Sequence, residues 1–185
     1  MDVLQAMKER HSVRAYTDKR IEGKVKEDLI SFIGQCNRDS GLHIQLILDE
    51  PNAFDSLMAR YGKFSGVRNY IVLAGKKGSD LEEKCGYWGE KIVLYAQAMG
   101  LNTCWTAMTY SKRKARFQLD QGEKLCLVIA LGYGKSAGVP HKSRPRESVM
   151  NIQGTPPAWF LNGIDAALLA PTAVNQQKFI FSLEG

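Results

Sequence analysis

A chain of 185 residues, 44% of them hydrophobic and 24% charged, is long enough to bury a real core and too apolar for intrinsic disorder. Its 25 basic against 19 acidic residues give a net charge of +6, which favours anionic partners without naming one. No run reaches the length of a membrane span and the first stretch, Met1 to Arg20, is too charged for a signal-peptide core, so the expectation is a single cytoplasmic domain, residues 1–185, with no membrane partner. Cys36, Cys85, Cys104 and Cys126 form no CxxC pair, and the only histidines are His11, His43 and His141; the sequence offers no metal-ligand cluster, and the thiols read as buried and free.

Val3, Leu4 and Met7 lie on one side of a short helix that Asp2 can cap. The helix delivers the chain to Arg10-His11-Ser12-Val13-Arg14-Ala15-Tyr16, where two guanidiniums, an imidazole and a hydroxyl gather within a few positions. The planar Arg fork suits a phosphate dianion, so these residues have the chemistry of an anion site; a solvated basic helix end would carry the same residues. Val25, Leu29, Phe32, Ile33 and Cys36 then make a helical stripe that ends near Asn37 to Gly41. Alternation of Ile44, Leu46 and Leu48 predicts a strand over Leu42 to Leu48, Asn52 to Arg60 predicts a further short helix, and Tyr70 to Ala74 reads as a buried strand closed by Gly75.

Ser79, with Glu82 three residues on, has the pattern of a capping box for the longest helix. Leu81, Cys85, Trp88, Ile92, Tyr95, Ala96 and Met99 hold one stripe until Gly100 supplies the stop, and at 1.5 Å per residue the rod is roughly 30 Å long. Val93 and Leu94 widen its apolar surface, which either a partner subunit or a deep single-chain core would cover. Leu101 to Trp105 is short and apolar, and Cys104 and Trp105 read as packing residues. Ser111 to Leu119, with Lys112, Arg113, Lys114 and Arg116, predicts a basic helix with a solvated face.

Leu125 to Leu131 is nearly all apolar and predicts a central strand buried on both faces, ended by Gly132-Tyr133-Gly134. From Lys135 to Pro157 runs a Pro- and Gly-bearing loop with a second basic cluster at Lys142, Arg144 and Arg146, and loops of that length are uncommon unless functional. Pro156-Pro157 opens a last helix through Leu161, Ile164 and Leu168, stopped by Pro171, and Phe179 to Leu183 predicts the final strand. Helix, polar loop and strand thus occur twice, at Val25 to Leu48 and at Trp159 to Leu183. The basic patches would suit a nucleic-acid reader, but no helix-turn-helix, zinc finger or RNP-type aromatic pattern accompanies them, and no nucleic-acid partner is expected.

Four stretches together resemble the nitroreductase family of flavoenzymes. Arg10-His11-Ser12-Val13-Arg14-Ala15-Tyr16 is similar to that family's R-[RH]-S-x-[RK]-x-[FY] signature, and Gly100-Leu101-Asn102-Thr103-Cys104-Trp105 to the G-L-G-x-C-W ending of its long helix. Leu131-Gly132-Tyr133-Gly134 followed by Lys142-Ser143-Arg144 resembles its late glycine turn and K-x-R phosphate clamp, and Ala170-Pro171-Thr172-Ala173-Val174-Asn175-Gln176-Gln177 its A-P-S-x-x-N-x-Q loop. That last loop normally follows the helix after the R-H-S segment; here it stands near the C-terminus, with Lys178-Phe179 in place of Pro-Trp.

The resemblance implies an α+β fold with a mixed, mostly antiparallel sheet flanked by helices around a long central helix. It implies FMN, with the phosphate held by Arg10, Ser12, Lys142 and Arg144 beside His11, and with Arg14 at the pyrimidine edge. Backbone groups at Ala107 and Met108 would face N5, and Pro171, Thr172, Ala173 and Asn175 would lie along the ring. It further implies NADH or NADPH as hydride donor, a nitroaromatic, quinone or similar small-molecule acceptor, a ping-pong mechanism with no catalytic side chain, and a homodimer. No GxGxxG follows a strand, so the nicotinamide would stack directly on the flavin. A flavin-binding sensor or carrier without turnover, or a basic nucleic-acid-binding module, are the alternatives left by the residues.

Overall fold

The computed structural model describes residues 2–183, and the chain divides at Gly138/Val139 into two compact units. The first holds α1 (Val3–Glu9), α2 (Gly23–Ser40), β1 (Gln45–Ile47), α3 (Leu57–Tyr61), β2 (Asn69–Lys76), α4 (Leu81–Ala98), β3 (Asn102–Thr106) and β4 (Glu123–Gly132). The four strands form one sheet in the order β1-β2-β4-β3, every neighbouring pair antiparallel. The α+β class and the long helix against a mostly antiparallel sheet are therefore as expected.

Strand alternation divides the core into two layers. Ile71, Leu73, Ile129 and Leu131 face a cluster built with Leu29, Ile33, Ile92, Val93 and Ala96 of α2 and α4. The alternate residues Tyr70, Val72, Val128 and Ala130 pack instead with Phe54, Phe64, Val67 and Tyr110 from the irregular segments on the other face. The central strand β4 is buried on both faces as its composition requires. Helix α4 ends as predicted: Gly100 takes φ 79, and the Leu101 N–H reaches back to Ala96 O at 3.0 Å. Asp2 caps α1 by accepting from the Gln5 N–H at 2.8 Å.

Three local expectations are corrected. Ser79 and Glu82 make no capping box: Asp80 takes the N-cap position with no side-chain cap bond, its carboxylate pairs with Lys84 at 2.7 Å, and Glu82 pairs with Lys124. The basic segment Ser111 to Leu119 is a turn followed by irregular chain. Its backbone donors are taken by distant side chains, the Arg116 N–H by the Tyr70 hydroxyl at 2.7 Å and the Gln118 N–H by Gln45 Oε1 at 2.9 Å, and it has no apolar stripe with which to dock as a helix. The helix expected over Asn52 to Arg60 is split into a 3-10 turn (Asn52–Phe54) and α3, because Glu50 accepts the Asn52 and Ala53 N–H groups and Ser56 caps α3 separately.

The second unit carries β5 (Met150–Asn151), α5 (Ala158–Leu169) and β6 (Phe181–Ser182), with β5 and β6 parallel. β6 is shorter than the strand expected over Phe179 to Leu183, β5 falls inside the stretch expected to be loop from Lys135 to Pro157, and Phe181 pairs through its N–H to Val149 O at 2.8 Å. Val149, Phe160, Ile164 and Leu168 form its small core, against which Met150, Ile152, Phe179 and Phe181 pack. Among the described residues no helix is long and apolar enough to cross a membrane.

Candidate functional site

In the first unit the Arg10 to Tyr16 segment is extended and pinned from both sides. The Val13 N–H donates to Thr103 O of β3, the Tyr16 N–H to Ser65 O, the Ser65 N–H to Arg14 O and the Lys135 N–H to Ala15 O, all at 2.9–3.0 Å. The Tyr16 hydroxyl closes the turn on Val13 O at 2.6 Å. Sites on backbone held in this way keep their geometry, which a loose basic helix end would not.

Arg10, the residue in which α1 ends, is buried at 3% exposure. Its Nε lies 3.6 Å from Oε1 of Glu90 on α4, and Glu90 Oε2 accepts the Trp105 indole N–H at 2.9 Å. Burial pushes the Glu90 carboxyl up, opposed by the Arg10 charge and the indole bond. Ser12 bridges to Thr103, and Arg14 is exposed with its guanidinium 5.9 Å from the Phe64 ring centroid. These three side chains converge on Cys104 of β3. Burial raises its thiol, while the Arg14 charge, a Ser12 hydrogen bond and the Arg10 charge all pull it down. His11 is half-buried against Gly138, whose φ of 79 and lack of Cβ permit the approach: an added Cβ would meet His11 Cβ at 2.8 Å. Ala107 and Met108 follow β3 directly and are exposed.

In the second unit two predicted stretches more than twenty-five positions apart form one cluster. Residues 141–144 run beside the end of α5: His141 Nε2 and Ser143 Oγ both reach Leu168 O, at 2.8 and 3.2 Å, while Lys142 and Arg144 are exposed. The Lys142 carbonyl accepts from Asn175 Nδ2 and Gln177 Nε2, each at 2.9 Å. Gln177 Oε1 accepts the Arg144 N–H at 2.8 Å, and the Arg144 guanidinium donates to the carbonyls of Gln177 and Ser148. Pro171 and Thr172 are half-buried, Ala173 is exposed, and both ends of the Asn175 amide are spent, its Nδ2 donating to the Lys142 carbonyl and its Oδ1 accepting from Gln177 Nε2 at 2.7 Å.

A family model described as "Putative TM nitroreductase" matches residues 2–185. The chain belongs to this nitroreductase family. A structure described as a "putative nitroreductase" from Thermotoga maritima superposes on it with a TM-score of 0.68 at 24% identity, covering 100% of this chain and 73% of that one. A "putative nitroreductase in complex with fmn" from Desulfovibrio desulfuricans gives 0.63 at 20% identity over 84% of this chain and 99% of that one. An "FMN-dependent Nitroreductase" from Clostridium difficile R20291 gives 0.55 at 18% identity over 72% and 88%. Comparison with curated proteins finds no match.

In this nitroreductase-family chain the sequence reasoning missed Glu90 and left Gln177 without a role. Nothing local marks Glu90, which sits between Gly89 and Lys91 in a helix of mixed charge, whereas Gln177 closes the A-P-x-x-x-N-x-Q pattern and could have been marked by that position. Among the described residues His43, Asp120 and Glu123 also place ligand-type atoms within 4.8 Å of one another. His43 Nδ1 and Glu123 Oε2 are 2.7 Å apart, a hydrogen-bonded pair closer than two ligands of one tetrahedral cation would stand.

Proposed function

We propose that the chain is an FMN-dependent oxidoreductase that passes reducing equivalents from NADH or NADPH to a nitroaromatic, quinone or similar small acceptor by a ping-pong mechanism. The observation that carries this reading is the interlocking of Lys142-Ser143-Arg144 with the Thr172 to Gln177 loop, two motifs that the resemblance assigns to the same cofactor. The donor chemistry fits a phosphate. Lys142 and Arg144 are exposed cations on a braced segment, and among the described residues Arg144 is held by two carbonyls and makes no ion pair with a carboxylate.

When bound, FMN supplies the hydride and electron chemistry, and this chain's residues bind, orient and tune. Lys142 and Arg144 would hold the phosphate. Arg10, fixed by Glu90, and Ser12, fixed on β3, add anion-binding donors, and Arg14 supplies a cation for the pyrimidine edge. Ala107 and Met108 offer exposed backbone beyond β3, and Pro171 to Ala173 offer a short rigid wall. No side chain needs to act as nucleophile or general acid.

The assembly belongs to the same proposal: a homodimer seated on α4. A groove of about 220 Å³ runs between α1, α2 and α4, lined by Val3, Ala6, Phe32, Leu94, Tyr95 and Ala98, and Val3 is 59% exposed. Sedimentation at micromolar concentration should give twice the chain mass. The experiment on function is the absorption spectrum of the purified protein with and without NAD(P)H. A yellow protein bleached by NADH or NADPH and reoxidised by a quinone is the expected result. A flavin that neither nicotinamide reduces makes the chain a carrier or sensor, and a colourless protein that takes up no added FMN overturns the assignment.

A further inference from the structure

Gln177 is 1% exposed, yet it is a polar residue on a surface loop and lies outside every role assigned above. Burying an amide is unfavourable unless each of its groups is bonded, and here they are. The side-chain oxygen accepts the Arg144 N–H, the side-chain nitrogen donates to Lys142 O and to Asn175 Oδ1, the backbone N–H donates to Thr172 Oγ1 at 3.1 Å, and the backbone carbonyl accepts from Arg144 Nη1. The backbone has bent to make this possible. Val174, Asn175 and Gln177 all have positive φ, at 45, 57 and 48, and strain of that kind persists only where surrounding bonds over-determine it.

Its bonds to the backbone of the 141–144 segment fall on alternate residues, Lys142 and Arg144. His141 and Ser143 are tied to Leu168 O, and Gln177 ties the backbone of Lys142 and Arg144 to the loop. The segment is thereby tied both to the end of α5 and to the loop, and the Lys142 and Arg144 side chains leave backbone whose carbonyl and N–H are each taken by Gln177. Asn175 adds a second bond to the Lys142 carbonyl.

We infer that Gln177 is the positioning residue of the phosphate clamp, and that the Thr172 to Gln177 loop acts chiefly as the brace of Lys142 and Arg144, with Asn175 as its second strut. This rests on the FMN reading above. It has a consequence that a merely structural residue would not have: losing Gln177 should damage recognition of the phosphate and spare recognition of the ring.

The test compares FMN with riboflavin, which lacks the phosphate, by fluorescence titration of flavin-free protein. Gln177→Met keeps the buried volume and removes every side-chain bond. It should weaken FMN about tenfold, the scale of one or two lost hydrogen bonds, and leave riboflavin within about twofold. Equal weakening of both flavins, or of neither, overturns the inference. Asn175→Ala removes one strut and should lower the FMN-to-riboflavin ratio about threefold; if Gln177→Met does not fold, an unchanged ratio in Asn175→Ala overturns the inference by itself. Arg144→Ala separates the two layers of argument. If it leaves FMN affinity intact, the phosphate assignment fails; if it weakens FMN while Gln177→Met does not, the assignment stands and the brace fails.

Discussion

Gly89, in the interior of α4, packs directly against side chains of the sheet. A Cβ added there would lie 2.6 Å from Cη2 of Trp105 and 2.8 Å from Cδ1 of Leu73, both inside any real carbon contact. Trp105 cannot yield without loss, because its indole N–H is spent on Glu90 at 2.9 Å, and Glu90 in turn holds Arg10. Gly89→Ala gains about 1 kcal/mol of helix propensity. It costs roughly 2 kcal/mol of overpacking and, when the indole turns away, roughly 2 kcal/mol for a hydrogen bond to a charged group. The expected net loss is about 3 kcal/mol. Gly86, three residues earlier in the same helix, meets nothing within 4 Å, so Gly86→Ala should gain the propensity term alone, about 1 kcal/mol. Urea unfolding followed by far-ultraviolet circular dichroism measures both variants against the parent. Gly89→Ala as stable as Gly86→Ala would refute the close packing of α4 on β3, and with it the Trp105-Glu90-Arg10 chain that anchors the first unit's anion segment.

Tyr70→Phe removes a buried hydroxyl that accepts the Arg116 N–H at 2.7 Å and donates to Glu50 Oε2 at 3.1 Å. It should cost about 1–3 kcal/mol in the same unfolding assay, since both partners lose a bond, and an unchanged midpoint would mean that water replaces it. Val174 is 88% exposed with φ 45, a left-handed conformation that a β-branched residue resists and Asn tolerates. Val174→Asn should therefore raise the melting temperature, by strain relief of about 1 kcal/mol, and a lowered one would contradict that backbone. The Glu123 carboxyl is pushed up by burial but pulled further down by its bond to His43, the Asp120 N–H and the charges of His43 and Lys76, to below its ordinary 4.5. A lowered carboxylate stabilises the fold above its unfolded pKa and stops doing so as pH falls through the folded value. The stability gap between the parent and Glu123→Gln should be full at neutral pH and close below about 4.5; a gap independent of pH would refute the pairing.

The sequence by itself determined the elements whose cause is local. Helices α1, α2 and α4 were legible because a 3.6-residue apolar stripe, a capping Asp2 and the left-handed stops Gly41 and Gly100 lie within a few positions of one another. The sheet's two-sided burial was legible in the run from Leu125 to Leu131, and the family in four short motifs. Only the tertiary structure decided what rests on partners distant in the chain. Ser111 to Leu119 carries residues that could form a helix, but Tyr70 and Gln45, more than forty positions earlier, take its backbone donors. Arg10 is read from the sequence as part of an anion site, with a solvated helix end as the alternative, and its burial against Glu90 of α4 is decided only by the fold. Gln177 closes a recognisable motif in the sequence, but its role as a buried tie is decided only when the fold lays it beside Lys142 and Arg144, over thirty positions away. Periodicity and caps are set by neighbours in the chain. A buried amide or guanidinium acquires its role only when a distant element arrives to take its hydrogen bonds, and no local pattern records that arrival.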